Sequence, residues 1–264
     1  MRKKNGLVII LTLLIFLSSA VLGVSTVYRV NAVSVRASVV SEEAKAEADA
    51  LQELLRQAYD KESIFSVNDE KAKSIVENFP YFRITAFERE YPNRLVVAIS
   101  EDAEVYAVPV SDSDKHYILN ESGTILGIRE EVANRSDNAD NLLILGINAT
   151  GEKGENLLAD LDVDFLFSFL SKTSEMLGGI RRNVARVEVI RKAAAVEETV
   201  FKFSMREGVN IYIRNPYENA QEKRERAVNA YMAMSSEQRL KGMLLVSDVD
   251  GAVIHAYSAV DTLS

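Results

Sequence analysis

Two histidines, His116 and His255, and no cysteine stand among the 264 residues, which limits the chemistry this chain can do. A serine hydrolase needs a histidine beside an activated serine, and no G-x-S-x-G elbow occurs. Without cysteine there is neither a disulfide framework nor a thiolate zinc site. Asp160, Asp162 and Asp164 alternate like the start of a calcium loop, but Phe165 stands where that loop needs glycine and Ser171 where it needs glutamate. Acids at a helix start, facing its positive end, explain them better. Glu42-Glu43 and Glu101-Asp102 are neighbouring carboxylates with nothing apolar around them to raise one pKa for glycoside cleavage. Asn120, Asn134 and Asn148 open glycosylation sequons by letter, near chance frequency. Lys223-Arg224-Glu225-Arg226 reads as a solvated helix face. No catalytic residue, cofactor or metal site is expected.

The bulk composition points the same way. At 47% hydrophobic and 27% charged, most of the chain should fold. A net charge of −8 and a pI near 5.1 repel phosphate backbones, which argues against a nucleic-acid partner.

The N-terminus is basic at Arg2, Lys3 and Lys4, and no further charge occurs until Arg29. Leu7 to Val24 is almost wholly apolar, and as a helix it would rise about 27 Å, close to a bilayer core. We therefore expect a cytoplasmic tail (1–6), a single transmembrane helix (7–28) and an extracytoplasmic remainder, oriented by the positive-inside rule. A cleaved signal peptide is the rival, with small residues at Ser18-Ser19-Ala20 and Val30-Asn31-Ala32, but the apolar run exceeds the usual length.

Beyond it, hydrophobic patterning predicts α+β structure. Val30, Val33, Val35, Val39 and Val40 suit a strand. Ser41 offers a helix N-cap, and Ala44, Ala48, Leu51, Leu55 and Ala58 form one apolar stripe. A second helix opens at Asn68, carries Ala72, Ile75, Val76 and Phe79 inward, and stops at Pro80. Phe82, Ile84 and Ala86 alternate as a strand, Tyr91-Pro92-Asn93-Arg94 turns, and Leu95 to Ile99 returns. The order β-α-α-β-β implies two helices on one face of a three-stranded sheet. Further on, strands are expected at 105–110, 116–119, 184–190, 199–203, 209–214, 243–246 and 252–257. Helices are expected at 158–177, ended by Gly178-Gly179, and from a cap at Asn215 with Pro216 first and Glu218 third, to about Met234. Arg129 to Asn141 reads as a loop.

Four words occur in order: Ile64-Phe65-Ser66-Val67-Asn68, Asn78-Phe79-Pro80-Tyr81, Arg89-Glu90-Tyr91-Pro92-Asn93-Arg94-Leu95, and Tyr117-Ile118-Leu119-Asn120-Glu121-Ser122-Gly123-Thr124-Ile125. Together with the order of elements, they resemble the FtsQ/DivIB cell-division family. Ala37-Ser38, Glu101-Asp102-Ala103-Glu104, Leu245 and Ser247 depart from the family pattern. The resemblance implies a polypeptide-transport-associated (POTRA) domain at 29–101 and a mixed α/β "β domain" with an antiparallel sheet at 102–264. It implies a divisome scaffold at the septum that supports septal peptidoglycan synthesis. Its partners would be FtsL-like and FtsB/DivIC-like membrane proteins and the septal peptidoglycan synthase complex. It further implies a C-terminal strand that accepts a partner strand by edge pairing, which places Leu244, Val246, Ser247, Asp248, Val249, Asp250, Val253, His255 and Tyr257 in the candidate partner-binding region. The alternatives are an anchored extracytoplasmic cell-wall enzyme with an unrecognised site, or a POTRA-bearing transport protein, which would need repeated units or a barrel.

Overall fold

The computed structural model describes residues 12–19, 23, 25–39, 42–134, 140–191 and 199–263. The expected transmembrane helix needs correction. Among the described residues no helix is long and apolar enough to cross a membrane. Residues 12–19, 23 and 25–27 are helical; the expected tail (1–6) and residues 7–11, 20–22 and 24 of the expected span lie outside the described residues. Ser41, the expected N-cap, and Val40 lie outside it as well.

The chain divides into two compact units, Met1–Asp102 and Ala103–Ser264. In the first, the order is β1 (Ala32–Ser38), α1 (Glu42–Tyr59), α2 (Glu70–Val76), β2 (Phe82–Glu90) and β3 (Arg94–Glu101). The apolar stripe of α1 does what its spacing predicts: Leu51 and Leu55 are fully buried, each contributing about 2 kcal/mol of transfer free energy. Tyr59 extends the stripe, and its hydroxyl donates to the carbonyl of Asn68 at 2.7 Å. Burial pushes that phenol up to about 12. The sheet order is β1-β3-β2, with β1 parallel and β2 antiparallel to β3. Val33, Phe82, Leu95, Val97 and Ile99 from its three strands share one core with both helices.

The second unit is built on a nine-stranded sheet in the order β14-β13-β12-β11-β10-β7-β4-β5-β6. Its strands are β4 (Tyr106–Pro109), β5 (His116–Leu119), β6 (Ile125–Arg129), β7 (Leu142–Leu145), β10 (Val184–Ile190), β11 (Val200–Met205), β12 (Asn210–Arg214), β13 (Met243–Val249) and β14 (Ala252–Ser258). Two short strands, β8 (Ala149–Thr150) and β9 (Leu158–Ala159), pair separately. The helices are α3 (Val163–Leu177), α4 (Ile180–Asn183), α5 (Ala220–Ala233) and α6 (Ser236–Arg239).

The expected antiparallel sheet is therefore mixed. β7 inserts between β4 and β10 and runs parallel to both. β13 runs parallel to β12 because α5 and α6 carry the chain back to the starting end of the sheet, as a crossover must. Leu142–Leu145, which closes the gap in the middle, is too short to give a periodic signal of its own. Phe169, Leu170, Phe201, Phe203, Leu244 and Val246 join the helices and strands in a single core.

The start of α5 also differs from expectation. Asn215 and Asn219 both take left-handed backbone conformations (φ 43° and 50°), so the helix opens at Ala220 instead of Pro216.

Candidate functional site

A sheet of nine strands has two edges, and each leaves a row of amides and carbonyls without a neighbour. The β6 edge is covered at its first residue. The amide of Ile125 donates to Glu155, and Gly154 donates to the carbonyl of Ile125. Its pairing with β5 also shifts register between Ile118 and Leu119, a break that bends an edge away from a second chain.

The β14 edge is the opposite case. Its seven residues, Ala-Val-Ile-His-Ala-Tyr-Ser, include no carboxylate, lysine, arginine or proline. All seven pair with β13, from Ala252↔Val249 to Ser258↔Met243, without a bulge. Among the described residues no strand lies beyond it. After Ser258 the chain turns across a face of the sheet. There the carboxylate of Asp261 accepts hydrogen bonds from Asn210 at 2.7 Å and from the Tyr212 hydroxyl at 2.9 Å. That tie keeps the C-terminal residues on β12.

The hairpin that presents this edge turns at Asp250-Gly251, both with positive φ (51° and 80°). Asp-Gly is the pair that a tight two-residue hairpin with right-handed twist demands. An ion pair with a fully buried lysine holds the hairpin just before this turn. The Nζ of Lys223, on α5, is fully buried and meets the Asp248 carboxylate, while also donating to the carbonyl of Asn215 at 2.7 Å. Asn219 adds a bond to Asp248 at 3.0 Å. Burial pushes the Asp248 carboxyl up, but bonds from Lys223 and Asn219 and the lysine charge more than reverse it, so it sits below its ordinary value.

On the helix side of the edge lies an open groove of about 640 Å³ between α5 and the β13–β14 hairpin. Ala230, Ala233, Met234, Leu244 and Tyr257 give it apolar walls; Glu222, Glu225, Arg226 and His255 rim it.

The nine residues of the expected binding region divide between two strands and a turn. Leu244, Val246, Ser247, Asp248 and Val249 lie on β13; all five pair with β14, and Leu244 and Val246 also pair with β12 on the other side, whose register ends at Val246. Leu244 and Val246 are core side chains, and Asp248 is the partner of Lys223. Val253, His255 and Tyr257 lie on the edge strand itself, with Val253 buried beneath it. Asp250 forms the turn. The exposed outer face of the edge adds Ile254 and Ala256, which the sequence reading omitted although their alternation with Val253 and Tyr257 marks them as outward.

The remaining chemistry-bearing residues are absorbed by structure. His116 Nδ1 lies 3.2 Å from the carbonyl of Glu130, far along the sheet from His255 on the opposite edge strand. Asp162 caps α3 by accepting from the amide of Phe165 at 2.9 Å. Asp160 binds Arg191 at 2.6 Å and Asn148 at 3.0 Å. Asn120 is buried and accepts from the amides of Ser122 and Thr124 to close its own turn. Asn134 and Asn141 surround the buried Glu104, which accepts a two-pronged bond from Arg129 at 2.7 and 2.6 Å. Among the described residues no three His, Asp or Glu side chains gather as metal ligands. No known protein family model matches this chain, and no curated protein matches it.

Proposed function

We propose that this chain is a non-enzymatic scaffold of the FtsQ/DivIB type, which takes a strand of another division protein onto β14 and so helps assemble the septal machinery. The observation that carries the reading is the β14 edge: seven consecutive residues without charge or proline, in unbroken register, while the other edge of the same sheet is covered at Ile125 and broken in register. Natural sheets blunt such edges with charge, proline or bulges, and one left plain is a template for pairing. Backbone bonds then supply affinity, and the side chains beside the edge supply selectivity. The β-α-α-β-β order of the first unit supports the same family reading, as do the ordered sequence words.

The partners on this reading are FtsL-like and FtsB/DivIC-like proteins, with the septal peptidoglycan synthase acting downstream. A fluorescent fusion in growing cells of the source bacterium, combined with depletion, tests it. A midcell band with filaments or failed septa on depletion is the expected result. An evenly spread signal with normal septation contradicts the reading.

A further inference from the structure

Unit 1 carries a row of three rings on its surface. Tyr28 and Phe65 have ring centroids 5.0 Å apart, and Phe65 and Tyr91 5.7 Å. Phe65 and Tyr91 are each 58% exposed, and Val27 beside them is 51% exposed. Tyr28 is half-buried against the core, and the two exposed rings that continue the row from it, at tilts of 34° and 36°, form a surface in want of a cover.

The row is built into the fold. The amide of Ile64 donates to the carbonyl of Tyr28 at 2.8 Å, Val30 donates to Glu62 at 2.8 Å, and Asn31 donates to Asn93 at 3.0 Å. These bonds stitch residues 28–31 between the loop bearing Phe65 and the hairpin tip bearing Tyr91. The rings thus mark the point where the N-terminal segment joins the folded unit.

That segment shows what covers them. Leu7 to Val24 has no charged residue, and the part of it described as helical leaves Leu13, Leu14, Ile15, Phe16 and Leu17 exposed by 57–76%. Residues 25–27 are helical and lead directly into Tyr28, so the rings begin where this apolar segment ends. A surface that takes up the apolar residues reaches the rings too. Tyrosine favours the boundary between acyl chains and headgroups, where its ring is sheltered and its hydroxyl stays wet, and phenylalanine buries its ring on the apolar side of that boundary. The charges close by suit such a surface: Arg29 is exposed, and the carboxylates Asp60, Glu62 and Glu90 each lie within 3.5 Å of a cation on Lys61, Lys71 or Arg94.

We propose that Tyr28, Phe65 and Tyr91 form a lipid-docking face that seats the first unit on a bilayer surface. The contact is interfacial and requires no crossing. It is separate from strand pairing at β14, and the two tests fail independently.

The chain has no tryptophan, so a single introduced indole reports alone. Phe65→Trp keeps a ring at the centre of the row. Arg83→Trp is the control, an exposed position on β2 eight residues from Tyr91 and so about 26 Å away along the strand. Each full-length variant is reconstituted into phosphatidylcholine–phosphatidylglycerol vesicles, with and without bromine on the upper acyl chain. The indole at 65 should shift to the blue and lose about half its emission to bromine, as a side chain seated roughly 5–10 Å into the boundary would; the indole at 83 should not. Equal quenching at both positions, or none at 65 in vesicle-bound protein, overturns the proposal. A blue shift at 65 that appears only when a second division protein is added, without bromine quenching, also overturns it and assigns the face to protein.

Discussion

Among single residues, Lys223 is the one on which the candidate site leans most. An ammonium with no exposed surface is held by Asp248 and the Asn215 carbonyl, and the bond to Asp248 fixes the hairpin against α5. Removing one member of a buried pair leaves the other uncompensated. Lys223→Ala should therefore lower the stability of the second unit by about 3 kcal/mol in urea titration. Asp248→Asn should cost at least as much, because the ammonium it leaves without a counter-charge has no exposed surface.

Acid tests the same residues. Asp160, Asp248 and Asp261 are all pushed up by burial but pulled further down by their partners: Arg191 and Asn148, Lys223 and Asn219, and Asn210 with Tyr212. A carboxyl held below its unfolded value stabilises the fold fully above that value, near 3.9, and the contribution fades as pH falls through the lower folded value. The urea midpoint of the second unit should hold from pH 6 to about 4.5 and then drop toward pH 2–3. Asp248→Asn should flatten part of that drop.

Lys223 also shows what a sequence hides. In the run Lys-Arg-Glu-Arg it reads as solvated charge, yet it sits one turn ahead of Ala227 and two ahead of Tyr231, on the buried stripe of α5. The spacing was visible; the partner, twenty-five residues on, was not.

At the level of elements, the edge strand makes a sharp prediction. In an antiparallel edge, successive residues point their amides alternately at the neighbouring strand and at solvent. Of Ile254→Pro and His255→Pro, one should abolish partner binding with little loss of stability, because it deletes an outward amide. The other should break a bond to β13 and cost about 3 kcal/mol. If neither substitution affects binding in a protein that remains folded, β14 is not the accepting edge. Gly251→Ala meets no neighbouring atom, so it should cost only the strain of a positive φ, about 1 kcal/mol by thermal unfolding.

Elements with a clean period were the legible ones. The stripe of α1, the β2–β3 hairpin, α3 with its glycine stop and the closing hairpin all lie within a few residues of where the pattern puts them. Where tertiary pairing decides, the pattern failed. β7 is four residues long and takes its place from parallel neighbours on both sides. Asn215 carries the signature of a cap but adopts a left-handed conformation that delays the helix to Ala220. The division of the candidate site between an edge strand and its covered neighbour was likewise invisible, because a sequence does not say which strand of a hairpin faces out.

For the whole molecule, two compact units with separate cores carry separate surfaces, rings on the first and a bare strand edge on the second. The second unit contains the full nine-stranded sheet and the groove beside β14. Residues 103–264 expressed alone should therefore fold cooperatively and bind the partner within about threefold of the full chain, because the β14 edge and its groove belong wholly to this unit. Surface plasmon resonance would measure both.

The central claim is that a partner strand completes the sheet at β14. Amide hydrogen exchange of the full chain, alone and with the source bacterium's FtsL-type and DivIC-type proteins, measures it most directly. Pairing should slow the outward amides of Ala252–Ser258 by about tenfold or more, with the β6 edge unchanged. Unaltered exchange along β14 under conditions where the proteins are bound would contradict the account.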